Sequence, residues 1–441
     1  MAQNFLDCDR EQAFLMPLSL RDWLPEGHLA WFVLDAVEQM DLAALYADYR
    51  ADGRGRPAHD PAMMVGLLLY AYAVGERSAR GIERRLHEDV AFRVIAANQT
   101  PDHATLARFR VRHEAALAGL FGAVLTLCAR AGLVSVGVLA LDGTKVHANA
   151  SGSANRSYEQ IAQELLDEAA AVDAAEDERL GERRGDEPPP ELADRASRRA
   201  RLAEAKRELE QEWQAQQRAR DAMFARRAEH VARTGRAPAG RRPNLGPSLG
   251  PQGRVNLTDP DSRPVKTPRG FIQGFNAQAV CTPEQVVIAA ELRIGSPDAG
   301  LLEPMISAAR AELAAAGVDE QPDVVLADAG YWSGPQIDRL TGEGLHVLVP
   351  PDGYARPEPM AGKRGGLYQH MRDKLDTDEG RRLYRRRQHM IEPIFAQTKV
   401  TRRAERFQRR GLAACRAEWR LLCATHNLLK LWRHVPEPNR A

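Results

Sequence analysis

Two short apolar runs, each running into an aspartate, constrain the fold of this chain more than any other feature. Val138-Leu-Ala-Leu141 is followed by Asp142, and Val324-Val-Leu-Ala327 by Asp328. Unbroken aliphatic runs of this length suit strands buried on both faces, as in a sheet covered by helices. A third acid, Glu392, leads a helix-like stretch, Glu392-Pro-Ile-Phe-Ala-Gln-Thr-Lys399, with a lysine seven residues on. Three acids delivered by two strands and a helix are candidate ligands for a pair of Mg²⁺ ions, whose hard charge prefers carboxylate oxygens.

The surrounding pattern predicts which elements carry these acids. Residues 1–130 read as compact helices. Asp60-Pro61 is a cap with proline at the first helical position, opening a helix over Ala62–Val74. Ser78 caps Ala79–Leu86, a short helix covers Val90–Ala96, and a longer one is predicted from Ala104 to Ala131. Arg108, Arg110 and Arg112 lie early in that last helix, which suits a helix-turn-helix-like DNA reader; a helical bundle with arginines on its wet face is the plainer alternative.

Strands follow. Val136–Val146 holds Asp142; Phe275–Cys281 and Val286–Ile294 flank Thr-Pro-Glu-Gln and read as a hairpin. Helices are predicted at Leu301–Ala316 and Pro335–Leu340, strands at Val324–Ala327 and His346–Val349, and terminal helices at Pro393–Arg403 and Cys415–Trp432. Antiparallel strands first, then alternating helix and strand, describe a mixed α/β sheet of RNase-H-like order. Residues 152–255 interrupt it. Leu202, Ala205, Leu209 and Trp213 share one helical face, so a helical hairpin or coiled coil is expected there, followed by a flexible Gly/Pro loop over Gly235–Arg254. The predicted division is a helical DNA-binding domain over 1–130, the first part of the core over 131–151, the insertion over 152–255, and the rest of the core with its terminal helices over 256–441.

Each acid alone has a plain structural explanation. Asp142-Gly143 is a common turn dipeptide, Asp328-Ala-Gly330 could end a strand, and Glu392-Pro393 could start a helix. Jointly, in this strand order, they favour a metal site. A continuous helix would return Lys399 to nearly the same face as Glu392, where its ammonium could hold a DNA phosphate. Asp259 and Asp261 could add carboxylates, although an Asx-turn explains them as well. His147 reads as a strand-packing or DNA-facing residue, Trp332 as a base-stacking or core residue, and Arg156, Arg263 and Arg269 as possible phosphate contacts.

Charge supports a polyanionic partner only locally. The net charge is +1, but residues 381–410 hold eleven Arg or Lys against two Glu, with compensating acid around 159–191. Salt screens charge beyond roughly 8–10 Å, so DNA would feel that local excess. A chain of 441 residues exceeds one ordinary core. The longest apolar run, Met63–Val74, is too short to span a bilayer, and the N-terminus lacks the pattern of a signal peptide. Cys8, Cys128, Cys281, Cys415 and Cys423 are odd in number and show no CxxC, so neither a disulfide framework nor zinc is indicated. A cytoplasmic location with no membrane partner is the expectation.

At these residues the chain resembles the DDE transposases of bacterial insertion sequences, particularly the group numbered eleven-eighty-two. The matching segments are Gly53-Arg-Gly-Arg-Pro57, Pro101-Asp-His-Ala-Thr-Leu-Ala-Arg-Phe-Arg110, Leu141-Asp-Gly-Thr-Lys-Val-His-Ala-Asn-Ala-Ser151, Thr258-Asp-Pro-Asp-Ser-Arg263, Gly274-Phe-Asn-Ala-Gln-Ala279, Leu326-Ala-Asp-Ala-Gly-Tyr331 and Cys423-Ala-Thr-His-Asn-Leu-Leu-Lys430. They span nearly the whole chain, in order.

The resemblance implies an RNase-H-like catalytic core, Mg²⁺ dependence with Mn²⁺ able to substitute, and cleavage and strand transfer at the ends of the protein's own element. Its acids map to Asp142, Asp328 and Glu392. A signature of tyrosine, arginine, glutamate and lysine around the third acid maps to Tyr384, Arg387, Glu392 and Lys399, with DNA-binding roles for the last and the first two. The Arg-to-Glu gap is one residue longer than the pattern, which places Gln388 where arginine would sit. The implied partners are double-stranded DNA, as transposon ends and target, and a second copy of the chain in a dimeric synaptic complex, associated with the nucleoid when bound. Two other readings stay open: a nuclease on the same fold that only hydrolyses, and a non-catalytic DNA-binding protein of transposon origin.

Overall fold

A computed structural model describes residues 19–49, 57–157, 194–236, 254–352 and 365–435, with scattered positions between 171 and 192. The loop expected over 235–254 and much of the first arm of the insertion lie outside the described residues, as does most of Gly53–Pro57.

The sheet centres on β1 (Val138–His147). Along one edge β1 pairs antiparallel with the long β5 (Gly270–Cys281), which also pairs with β4 (Arg263–Thr267) and β6 (Val287–Arg293). Along its other edge β1 pairs parallel with β7 (Val324–Leu326), and β7 pairs parallel with β8 (His346–Leu348). Two short strands, β2 (Asn155–Ser157) and β3 (Arg254–Asn256), form a separate ribbon at the base of the insertion. The predicted β5–β6 hairpin is present, with Gln285 at φ 65° in its turn.

Helices cover the sheet and build the N-terminal region. In chain order these are α1 (Leu29–Glu38), α2 (Pro61–Ala73), α3 (Ala79–Glu88), α4 (Val90–Ile95), α5 (His103–Arg112), α6 (Glu114–Arg130), α7 (Arg195–Thr234), α8 (Leu302–Ala315), α9 (Gly334–Gly342), α10 (Gly366–Asp376), α11 (Asp378–Ala396) and α12 (Leu412–His434). The cap at Asp60 forms as the sequence predicts, its carboxylate accepting from the backbone N–H groups of Ala62 and Met63. Helix α12 packs against α2, α6 and β6, so the helical region and the sheet share one hydrophobic core running from Leu29 to Leu431. Leu202, Ala205 and Leu209 of α7 bury a second, smaller core with Ala154, Val255 and Leu257. No single helix among the described residues is long and apolar enough to cross a membrane.

Two helix expectations are corrected. The helix predicted over Ala104–Ala131 breaks at His113 into α5 and α6, bent by 78°. At the break His113 is buried, its Nδ1 2.9 Å from the Asp48 carboxylate and its Nε2 3.2 Å from the Tyr49 hydroxyl. The helix expected to begin at Pro393 begins instead at Asp378 and holds Pro393 in its interior. Proline removes the hydrogen bond to the carbonyl four residues back, that of His389. Gln285, from the β5–β6 turn, donates its side-chain amide to that same carbonyl at 2.8 Å. A π-helical turn (Gln397–Thr401) then closes α11.

Candidate active site

The parallel register of β1 and β7 brings the two strand acids together. The last pair is Ala140 with Leu326, so Asp142 and Asp328 each stand two residues beyond it. Side chains alternate across a strand, and the two carboxylates therefore leave the sheet on the same face. Their charges interact. Burial above all, and the nearby Asp328 charge, push the Asp142 carboxyl up to about 6 against the pull of Arg387. Burial likewise raises Asp328, whose carboxylate accepts from the Gly330 N–H at 2.9 Å and so fixes the turn that follows β7.

Helix α11 supplies cations to this face. Arg387 Nη1 donates to Asp142 Oδ2 at 2.6 Å, with both side chains largely buried. Tyr384 lies one helical turn earlier, its ring 5.8 Å from the Arg387 guanidinium, and burial lifts its hydroxyl to about 12. Lys399, in the π-helical turn, donates from Nζ to the Lys145 carbonyl of β1 at 2.6 Å. Burial lowers its pKa, with the Glu405 charge opposing. The segment beyond it runs back along β1, where His147 exchanges backbone hydrogen bonds with Glu405 and Phe407.

Glu392 occupies the helix interior rather than a helix start, and its side chain is exposed. A π-helical turn separates Glu392 from Lys399, so the chain between them is not the unbroken α-helix that the sequence argument assumed. Among the described residues no three acids, histidines or cysteines converge closely enough to hold a metal ion.

The N-terminal arginines divide. Arg108 is exposed, donating to Thr105 Oγ1, and Arg112 is exposed, reaching the Asp48 carbonyl and lying over the Tyr49 ring. Arg110 is corrected as a DNA contact: it is 1% exposed, its guanidinium 5.5 Å from the Tyr72 ring centroid. Residues two apart on a helix point in nearly opposite directions, a spacing that already separates Arg110 from its neighbours.

Other sequence candidates have structural partners. Asn256 forms the Asx-turn, accepting from the N–H groups of Thr258 and Asp259. Asp259 and Asp261 cap α12 from a distance, accepting from the N–H groups of Gly411 and Leu412. Trp332 packs edge-on against Tyr368, and His147 is exposed at the end of β1. Arg156 and Arg263 donate to nearby backbone carbonyls of Ser153 and Ser262, while Arg269 is exposed at the β4–β5 turn.

One acid escaped the sequence reading. Asp298, in the turn between β6 and α8, accepts from Asn276 Nδ2 at 2.7 Å, Gln278 Nε2 at 2.8 Å and Lys145 Nζ at 3.2 Å. The only signal for it is an acid in a polar turn, Gly295-Ser-Pro-Asp298, one strand beyond β5, which carries the buried Asn276 and Gln278.

Residues 18–112 match a family model described as "Transposase domain (DUF772)". Residues 362–432 match one described as "Transposase DDE domain", a span that takes in Tyr384, Arg387, Glu392 and Lys399. The two matches support a DDE transposase of an insertion sequence. DDE transposases generally use divalent metals, and the DDE domain implies a metal-dependent nuclease or transposition activity in general. The first transposase match covers the N-terminal helices as far as Arg112. No curated protein and no solved structure matches the chain.

Proposed function

We propose that the chain is a DNA transposase that binds the terminal inverted repeats of its own element and cuts and joins DNA from an RNase-H-like core. The observation that carries this reading is the Ala140–Leu326 register, which aligns Asp142 with Asp328 on neighbouring parallel strands. Four strands joined antiparallel (β1, β4, β5 and β6), followed in the chain by two parallel to β1 (β7 and β8), with α11 laid against β1, support the RNase-H-like assignment.

The donor set fits a hard divalent cation. The Asp142 and Asp328 charges interact, and burial with that neighbouring charge raises Asp142 to about 6 despite its pairing with Arg387, so a divalent cation bound there would be favoured by both carboxylates. Asp142 and Asp328 would hold the ion, with Glu392 assigned as the third acid by resemblance. When bound, Mg²⁺ or Mn²⁺ supplies activation of the attacking oxygen and charge neutralisation at the phosphate. The chain's own residues do the rest. Arg387 balances Asp142, while Lys399 and Lys145 set positive charge beside the acids, where a phosphate backbone is attracted. Arg108 and Arg112 contribute phosphate contacts at the N-terminal helices, which position DNA rather than read its sequence. Water attacks first, releasing a 3′-hydroxyl, which then attacks target DNA. Two copies of the chain would hold the two ends in a synaptic complex.

The discriminating experiment is product analysis on labelled duplexes carrying the DNA that flanks the coding sequence. Joined products, with the element's 3′-end covalently linked to target DNA, are the expected result. Cut ends without joined products would favour a nuclease that only hydrolyses; binding that is indifferent to Mg²⁺, with no cutting, would favour a non-catalytic DNA-binding protein.

A further inference from the structure

Asp298 stands where three elements of the site meet. Across the β1–β5 ladder, Lys145 pairs with Asn276 and Gly143 with Gln278, so these side chains share one face of the sheet. Asp298 accepts from all three polar ones, and Lys145 is held a second time by the Ser296 carbonyl at 2.8 Å. Asn276 and Gln278 are fully buried. Gln278 is further fixed: Tyr331 donates its hydroxyl to Gln278 Oε1, and Gln278 Nε2 donates to Asn276 Oδ1 at 2.9 Å.

Tyr331 belongs to the turn that begins at Asp328. The chain of contacts Asp298–Gln278–Tyr331 therefore ties the Asp328 turn to β5, in addition to its covalent attachment to β7. The packing leaves little slack. A Cβ on Gly143 would lie 2.2 Å from Gln278 Nε2 and 3.0 Å from Asp298 Oδ1; one on Gly330 would lie 3.0 Å from Asp328 Oδ1 and 3.5 Å from Asp298 Oδ2. Apolar side chains would fill a buried strand at lower cost than this network, since buried polar groups are tolerated only when all are satisfied.

We propose that Asp298 is a positioning residue of the DDE site, fixing Lys145 and, through Gln278 and Tyr331, the turn that aims Asp328 at Asp142. This rests on the reading of Asp142 and Asp328 as metal-holding acids. Outer groups that orient ligands typically change metal affinity or activity by about 10–100-fold when removed.

The test measures Mn²⁺ binding by calorimetry on the full chain, with steady-state cleavage of the same flanking duplexes and thermal unfolding in parallel. Asp298→Ala is expected to lose about 10–100-fold in both Mn²⁺ affinity and kcat, with little change in KM for DNA. Asp298→Asn should recover part of the loss, because its amide oxygen still accepts from Asn276 and Gln278. A folded Asp298→Ala that binds Mn²⁺ and turns over like wild type overturns the inference. Where that variant does not fold, Tyr331→Phe carries the test: it removes only the hydroxyl that holds Gln278. Weaker Mn²⁺ binding at an unchanged melting temperature supports the inference, and unchanged binding overturns it. A wild-type chain that neither binds Mn²⁺ nor cuts overturns the DDE reading itself, and this inference with it.

Discussion

Arg387 and Asp142 form an ion pair between helix α11 and strand β1, with Nη1 and Oδ2 2.6 Å apart and side chains only 11% and 18% exposed. The pair holds α11 against the strand that carries the first acid. Removing one partner of a buried pair leaves the other charge uncompensated, at a cost of about 3–5 kcal/mol. Arg387→Met should therefore lower the stability of the metal-free protein by a few kcal/mol, read from urea unfolding. Addition of Mn²⁺ should restore part of the loss, because a divalent ion would neutralise the same carboxylates. Unchanged stability in the variant would show that the pair contributes nothing.

The Gln285–His389 contact predicts a coupling. Gln285→Ala removes the donor to the carbonyl that Pro393 leaves unpaired, and also the acceptor for Lys430 Nζ. Because the bond to His389 is solvent-exposed, a loss of only about 0.5–1.5 kcal/mol is expected. Pro393→Ala restores a backbone N–H that can reach the same carbonyl. In a double-mutant cycle Gln285→Ala should then cost measurably less in the Pro393→Ala background. Strict additivity would show that the glutamine does not compensate for the proline.

Asp259 gives a pH dependence of unusual sign. Its carboxyl is fully buried, and burial with the neighbouring Asp261 charge raises it to about 7, while the Gly411 N–H and Arg410 pull the other way. A carboxyl raised on folding binds its proton more tightly in the native state, so its contribution favours folding at low pH and is lost as pH rises from about 4 to 7. Asp259→Asn keeps an acceptor for Gly411 and removes the titration. The variant should be more stable than wild type at pH 8 by about 2–4 kcal/mol. That difference should shrink towards pH 4; a constant difference across the range would contradict this assignment.

The N-terminal arginines should separate by function. Arg108→Ala and Arg112→Ala should each weaken DNA binding and reduce the salt slope by about 1. Arg110→Ala, in the core beneath Tyr72, should cost stability and leave the slope unchanged. Fluorescence anisotropy over a salt series, with melting temperatures alongside, reads both. An Arg110→Ala variant that melts normally but loses slope would place that side chain on DNA after all.

Much of this architecture was legible because it is local. Asp60-Pro61 caps α2, Thr282–Gln285 turns the β5–β6 hairpin, and the two aliphatic runs become β1 and β7 beside one another. What the sequence hid depends on distant partners. Pro393 reads as a helix start until Gln285, more than a hundred residues away, supplies the missing donor. At the break, buried His113 meets Asp48 and Tyr49, partners more than sixty residues away in the sequence. Asp298 sits in an ordinary polar turn, and its meaning lies in three donors from two other strands. Arg110 is different: its spacing from Arg108 and Arg112 alone turns it away from them.

The central claim is that Asp142 and Asp328 form the metal-dependent cutting centre, and cleavage of end-labelled duplexes carrying the element's own ends tests it most directly. Wild type and Asp328→Asn would be compared, each with Mg²⁺ and with EDTA. The account predicts cuts at the element ends for wild type with Mg²⁺ alone, and none for wild type with EDTA or for folded Asp328→Asn under either condition. End-specific cutting that persists in Asp328→Asn, or in EDTA, would contradict it.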